Sequence, residues 1–177
     1  RAPAYPLIAC DPYFSVWSPA DELSLADTQH WTGKPHRLFG FVMIDGQAYR
    51  FLGSALADLP ALRQLEVKVL PTRTIYKFDG GGIQLTVTFL TPALPYDVDL
   101  LSRPITYVTF EAVAVDDAEH DVRVLFAASG ELAVNSPSDL VRAVVHSYDG
   151  LEAAEIGSVS QVILGHRGDD LRIDWGY

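Results

Sequence analysis

The sequence predicts an all-β protein, an antiparallel β-sandwich with an irregular aromatic-rich N-terminal segment and few short helices. Apolar runs of strand length recur along the chain, and turns rich in glycine and aspartate separate them. Helix candidates are few: Pro60 interrupts residues 55–65, and Pro137 could start only a turn or two over residues 138–142. Many short strands at close spacing favour a sandwich over an alternating α/β fold.

Two hairpins give the strongest strand signals. Their strands are predicted at residues 38–44 and 47–52 for the first hairpin and at residues 72–78 and 83–90 for the second. The first turn is Asp45-Gly46, a dipeptide that tolerates positive φ and closes a two-residue loop. The second turn is Asp79 followed by three glycines. After it, apolar and polar residues alternate with a period of two, which indicates one buried and one polar face.

The second half of the chain continues the strand pattern. Residues 105–115 and 122–128 are predicted as antiparallel neighbours, separated by a polar loop at 116–121 whose acidic cluster is expected to be solvated. Further strands are predicted at residues 141–147, 151–156, 161–164 and 171–175. No repeat or internal linker divides the chain, so one domain is expected over residues 1–177. Because the last run stops while still apolar, we expect that domain to be cut from a longer protein.

Residues 11–33 crowd large rings into a stretch with no long sheet or helix period. Aromatic side chains offer stacking area with a polar edge, which suits a ligand cleft or a domain interface. The alternative is an irregular lid over the sandwich core, with the rings buried. The candidate cleft or interface residues in this aromatic segment are Asp11, Tyr13, Trp17, His30 and Trp31.

Composition excludes several classes of partner. The chain has 177 residues and a net charge of −10, without a Lys or Arg cluster that could neutralise a row of phosphates, so nucleic acid is not expected. No apolar run approaches the roughly 20 residues of a membrane helix, so no membrane span is expected. The chain begins with Arg1, and its single methionine is Met43. We therefore expect either a removed signal peptide or a longer parent polypeptide.

The search for catalytic and metal motifs is negative. The chain has no GxSxG, HExxH or CxxC string and no phosphate-binding loop followed by a helix. Its one thiol, Cys10, has no evident activating base, and its apolar neighbours suggest burial. Asp97 and Asp99 are better explained by a capped turn after Pro95 than by a cation site. No catalytic residue, metal ligand or cofactor is therefore predicted.

Longer strings carry a family resemblance that covers nearly the whole chain. They are AYPLIACDPYFSVWS at 4–18, HWTGK at 30–34, PTRTIYKF at 71–78, TFLTPALPYDVDLLSRPITY at 88–107, SGELAVN at 129–135 and GDDLRIDWGY at 168–177. On these strings the chain resembles the N-terminal region of the glutaminase A family of bacteria and fungi. The resemblance implies a secreted or periplasmic enzyme that hydrolyses L-glutamine to L-glutamate and ammonia.

The same resemblance implies a two-part enzyme, in which an N-terminal β-sandwich precedes a large α-helical toroid. The chain would then be the non-catalytic N-terminal domain, and its partner would be the helical domain of the same polypeptide. If the aromatic segment reaches the cleft, Asp11 or His30 would contact the charged ends of glutamine while Trp17 or Trp31 walls the pocket. On that hypothesis, His30→Ala in the full-length protein lowers turnover more than thermal stability.

A second hypothesis treats the chain as a carbohydrate-binding or accessory module of an enzyme resembling glycoside hydrolases. Trp17, Trp31 and Tyr13 would form a stacking platform, since aromatic faces suit the apolar face of a sugar ring.

Overall fold

Eleven β-strands form the framework of residues 2–163, the part of the chain that the computed structural model describes. The strands are β1 Tyr5–Ala9, β2 Ser15–Ser18, β3 Leu38–Ile44, β4 Gln47–Leu52, β5 Arg63–Leu70, β6 Arg73–Gly80, β7 Ile83–Leu90, β8 Tyr107–Ala114, β9 Val122–Ala128, β10 Val141–Tyr148 and β11 Leu151–Ser158. The helices in this part are α1, Val98–Leu101, and a short 3-10 helix, Gly130–Ala133. The predicted all-β class is confirmed, and no helix among residues 2–163 is long and apolar enough to cross a bilayer.

A four-stranded antiparallel sheet forms one layer, in the order β5-β6-β7-β8. Its inner face is built by the predicted alternation, since Ile83, Leu85, Val87 and Phe89 of β7 are buried and the residues between them are half-buried. The turn before β7 contains three glycines with positive φ, as the hairpin prediction required.

The three-stranded sheet β4-β3-β9 lies opposite. Its first hairpin has the bounds that the sequence predicted, with Asp45 and Gly46 both at positive φ in the turn. Phe51 of β4 is completely buried, with its ring centroid 5.8 Å from that of Phe78 on β6 and 6.1 Å from that of Phe110 on β8. This aromatic contact joins the two layers into one hydrophobic core.

Two small hairpins complete the described chain. Strands β1 and β2 pair antiparallel, and β1 packs on β6 and β7, so its Leu7 and Ile8 join the core. Strands β10 and β11 pair along their whole length, and among residues 2–163 β11 also contacts the 3-10 helix. Several large apolar side chains of this second hairpin are exposed, including Val145 and Leu151.

The predicted pairing of residues 105–115 with residues 122–128 is wrong. Strand β8 pairs with β7, whereas β9 pairs with β3 in the opposite sheet. The polar loop between β8 and β9 is long enough to cross from one layer to the other, and the Phe110 and Phe126 rings meet across the gap with centroids 5.9 Å apart. Burial of these rings between two sheets therefore prevails over a local hairpin.

The two short helix candidates do not form helices, and one predicted strand is absent from the described residues. Residues 55–65 form no helix, and β5 begins within that range at Arg63. Residues 136–139 form a turn closed by a hydrogen bond from the Asp139 N–H to the Ser136 carbonyl, and Val141 starts β10, which confirms the strand predicted at residues 141–147. Residues 161–163 are not a strand, and the predicted strand at 171–175 lies outside the described residues. The predicted capped turn after Pro95 is confirmed, because the Asp97 carboxylate accepts a 3.0 Å hydrogen bond from the Leu100 N–H.

Candidate functional site

The aromatic segment begins in the tight connection between β1 and β2. The Asp11 carboxylate oxygen Oδ1 accepts hydrogen bonds from the backbone N–H groups of Tyr13 and Phe14, at 2.7 and 2.9 Å. This is an Asx-type turn, a role for which a short carboxylate is well suited. Asp11 therefore sets the course of the chain into β2, and one of its oxygens is engaged by the backbone.

Strand β2 divides its side chains between the core and the aromatic segment. Val16 and Ser18 lie on one face and are fully buried, whereas Ser15 and Trp17 lie on the other. The Trp17 backbone pairs with Gln29 through hydrogen bonds of 2.7 and 2.9 Å. This bridge brings the second half of the segment alongside β2, which no periodicity in the sequence had indicated.

Two histidines form the buried base of this segment. His30 and His36 are both 0% exposed, and their ring centroids are 5.2 Å apart. His30 Nε2 lies 2.8 Å from the Pro12 carbonyl, which can only accept, so this nitrogen carries the proton. His36 Nδ1 likewise donates to the Ser15 carbonyl at 3.0 Å. His30 thus ties the loop to the β1–β2 connection, and His36 ties it to the first residue of β2.

The other nitrogen of His30 is also engaged. The Thr32 backbone N–H points at Nδ1, at 3.4 Å, which makes Nδ1 an acceptor, and the Thr32 hydroxyl lies 2.8 Å away and donates to it. Both ring nitrogens of His30 are therefore engaged in hydrogen bonds inside the protein. It lies behind the surface, with its ring centroid 5.6 Å from that of Trp31.

Above this base lies a pocket of about 230 Å³, here called the tryptophan pocket. It is lined by Ala9, Asp11, Pro12, Ser15, Trp17 and Trp31. Trp31 is 51% exposed and is held by a 2.7 Å hydrogen bond from its Nε1 to the Pro12 carbonyl. The structure thus brings three of the candidate residues, Asp11, Trp17 and Trp31, together around one opening.

Two polar atoms of the tryptophan pocket residues lack a hydrogen-bond partner within residues 2–163. They are the Ser15 hydroxyl and the Trp17 indole N–H, and both are buried. Buried polar groups are nearly always satisfied, so this pair is an exception within the described structure. The sequence did not indicate Ser15 as a candidate. Its side chain shares a face with Trp17 only because both lie on strand β2, and that strand was not predicted.

Tyr13 is 45% exposed and does not line the pocket. Tyr13 is therefore a surface residue of the aromatic segment. His30 does not line the pocket either, but its ring contacts Pro12 and Trp31, which do.

The chemistry available here is that of binding. The Ser15 hydroxyl has no base within hydrogen-bond distance, and Asp11 serves the turn. Cys10 lies near, 3.5 Å from the Thr106 hydroxyl, but burial raises the pKa of its thiol, which keeps it protonated at neutral pH. Within the described residues, no three His, Cys, Asp or Glu side chains are grouped to hold a metal ion.

A separate ionic cluster ties two loops together at the end of the sandwich. His120 Nδ1 lies 2.6 Å from Asp45 of the β3–β4 turn, and Nε2 lies 3.0 Å from Asp116. Hydrogen bonds to Asp45 and Asp116 raise the pKa of His120, and the same contacts lower the pKa of each aspartate. The solvated loop expected at residues 116–121 therefore contains an ordered clamp, the His120 clamp.

The His120 clamp predicts a pH-dependent stability. The raised pKa of His120 contributes stability below its ordinary value of 6.5, and this is lost as pH rises through the folded pKa. The lowered pKa values of Asp45 and Asp116 contribute above 3.8 and are lost as pH falls through the folded values. We expect His120→Gln to destabilise most between these limits, as measured by urea unfolding at about pH 2.5, 5 and 8.5.

The matched control is Asp117→Asn, which removes an exposed acid from the same loop. It should leave the pH profile of the wild type unchanged. Equal destabilisation by His120→Gln at all three pH values would show that the clamp contributes packing only.

Fold and site together define a class: an all-β domain of two packed antiparallel sheets with a pocket lined by aromatic side chains. Comparison with protein-family models identifies the family of the chain. The chain belongs to the family described as Domain of unknown function (DUF5127), whose model matches residues 72–177. A second model, Domain of unknown function (DUF4964), matches residues 1–64 and so covers the aromatic segment.

The resemblance to glutaminase A is confirmed by comparison with characterised proteins. The chain is 26% identical over 141 residues to a protein named Glutaminase A from Aspergillus oryzae (strain ATCC 42149 / RIB 40). The aligned region covers 75% of this chain and 20% of that glutaminase, so the chain spans a minor part of the length of its relative. No solved structure matches the chain.

Proposed function

We propose that the chain is the N-terminal, non-catalytic domain of a secreted or periplasmic glutaminase that hydrolyses L-glutamine to L-glutamate and ammonia. The similarity to Glutaminase A carries this proposal. It is supported by the coverage of that comparison, because the aligned region spans only 20% of the relative and leaves the rest of that protein outside it. In this proposal residues 1–177 form one domain, and the catalytic groups belong to a helical domain of the same polypeptide.

The tryptophan pocket is the surface that we assign to the contact with that domain or with its substrate cleft. Trp31 is half exposed while its indole is fixed by Pro12, which is the arrangement of a rigid aromatic anchor. The Ser15 hydroxyl and the Trp17 N–H are buried, so the accessible part of the pocket is its aromatic wall. The exposed and rigidly held indole of Trp31 is the group that supports a docking role.

Ammonia release from glutamine tests the proposal. The 177-residue chain and the full-length parent polypeptide are assayed side by side at equal concentration. We expect release by the parent and none by the chain. A chain as fast as the parent would refute the non-catalytic role, and a parent without activity on glutamine would refute the substrate.

Binding of sugars is the second candidate, and the tryptophan pocket favours it specifically. Trp17 and Trp31 line the pocket with aromatic side chains, whose faces suit the apolar face of a sugar ring. Titration of the chain with a panel of oligosaccharides, followed by tryptophan fluorescence, separates the two candidates. A saturable response that Trp31→Ala abolishes would support the module, and silence across the panel would reject it.

A further inference from the structure

A second cavity, of about 140 Å³, lies next to the first but opens between other elements. Its walls come from β1, the β5–β6 turn, the end of β7 and the segment that contains α1. Arg73 and Arg103 both line it, and its lining contains no Asp or Glu. In a chain with 23 acidic and 13 basic residues, such a lining is unusual. We refer to it as the arginine cavity.

The two arginine side chains of the cavity have no carboxylate partner within residues 2–163. Neither Arg73 nor Arg103 forms an ion pair with a carboxylate among residues 2–163, whereas Arg37, Arg63 and Arg123 each do. Both side chains are exposed and therefore accessible. Two neighbouring cations with no counter-charge repel each other, and an anion placed between them relieves that repulsion.

The other residues that line the cavity indicate what the uncharged part of a ligand would contact. Thr91 lines the cavity, and its hydroxyl is bonded to that of Thr106 at 2.7 Å. Cys10 remains a neutral thiol at physiological pH, since burial raises its pKa, so it adds no competing negative charge. Leu7, Phe89 and Leu101 supply apolar wall. A ligand with a negatively charged head group and a short aliphatic chain matches this lining.

We propose that the arginine cavity binds a small aliphatic carboxylate, with its head between Arg73 and Arg103 and its chain against the apolar wall. A guanidinium group presents a planar fork of donors that matches the two oxygens of a carboxylate. The cavity volume suits a body of a few carbon atoms. This assignment is independent of the proposed glutaminase role, because it concerns a different pocket from the tryptophan pocket.

Amide NMR shifts of the 177-residue chain, titrated with valerate or with its neutral counterpart valeramide, test the assignment. Valerate should shift the amides of Thr72, Arg73 and Arg103 saturably, and valeramide should not. Arg73→Gln and Arg103→Gln should each raise the dissociation constant about fivefold, a typical effect for an exposed ion pair. Arg103→Lys keeps the charge but not the fork, so its effect should be intermediate.

The matched control is Arg123→Gln, which removes the same charge from β9, outside the cavity. It should leave the dissociation constant unchanged. Equal binding of valerate and valeramide, tighter binding of inorganic phosphate, no shifts, or an equal loss with Arg123→Gln would each overturn the assignment. None of these results affects the ammonia-release test, so the two proposals fail separately.

Discussion

Phe51→Ala is expected to lower the free energy of unfolding by about 3–5 kcal/mol, the usual range for removing a buried phenylalanine. Phe51 has no exposed surface, and its ring touches Phe78 of one sheet and Phe110 of another strand in that sheet. The substitution leaves a cavity between the two layers, where close packing prevents collapse. Urea unfolding monitored by far-ultraviolet circular dichroism measures the loss.

Tyr96→Ala is the matched control, because Tyr96 is an aromatic residue that is fully exposed. Its effect should stay within about 0.5 kcal/mol, as for most surface substitutions. If Phe51→Ala cost no more than this control, the two sheets would not share the core that the ring contacts describe.

His30→Ala is expected to lower the free energy of unfolding by about 2–3 kcal/mol, from a lost buried ring and unsatisfied partners. The Thr32 hydroxyl loses its acceptor, and the Pro12 carbonyl keeps only the Trp31 indole as a side-chain donor. The sequence had suggested a larger effect on glutamine turnover than on stability. Full burial and two internal hydrogen bonds instead favour the effect on stability.

The measurement for His30→Ala pairs the melting temperature with glutamine turnover in the full-length protein. We expect a lower melting temperature and near-normal turnover at a temperature where the variant is folded. Tyr13→Ala, at a half-exposed residue of the same segment, should change the melting temperature little. Lost turnover with an unchanged melting temperature would return His30 to the role of a substrate contact.

Local pattern was sufficient for the central strands of both sheets. The hairpins around Asp45-Gly46 and around the three glycines were predicted nearly to the residue, because turn chemistry and period-two alternation act over short stretches. The strands that were missed have irregular patterns. A register shift between Pro6 and Ile8 breaks the alternation in β1, and another between Gln64 and Glu66 does so in the edge strand β5.

For the candidate site, too, residue types predicted one part and the packed structure decided the other. Residue types alone selected the aromatic segment and the candidates Asp11, Trp17 and Trp31, which do line one pocket. Residue types could not separate His30, buried with both nitrogens bonded, from Trp31, half exposed on the neighbouring position. Residue types also did not indicate Ser15, Arg73 or Arg103 as pocket residues, since a single serine or arginine has no distinctive local sequence pattern.

The amino-acid order was enough to specify the all-β class, the tight turns and the family resemblance, because each depends on neighbours within a few positions. Which strands pair across the layers, and which polar groups stay without partners, were decided only by the packed structure. The strand after the acidic loop joins β3 and not β8, and this pairing places the partly buried rings of Phe110 and Phe126 in contact between the two sheets. The tryptophan pocket and the arginine cavity are products of that same long-range packing.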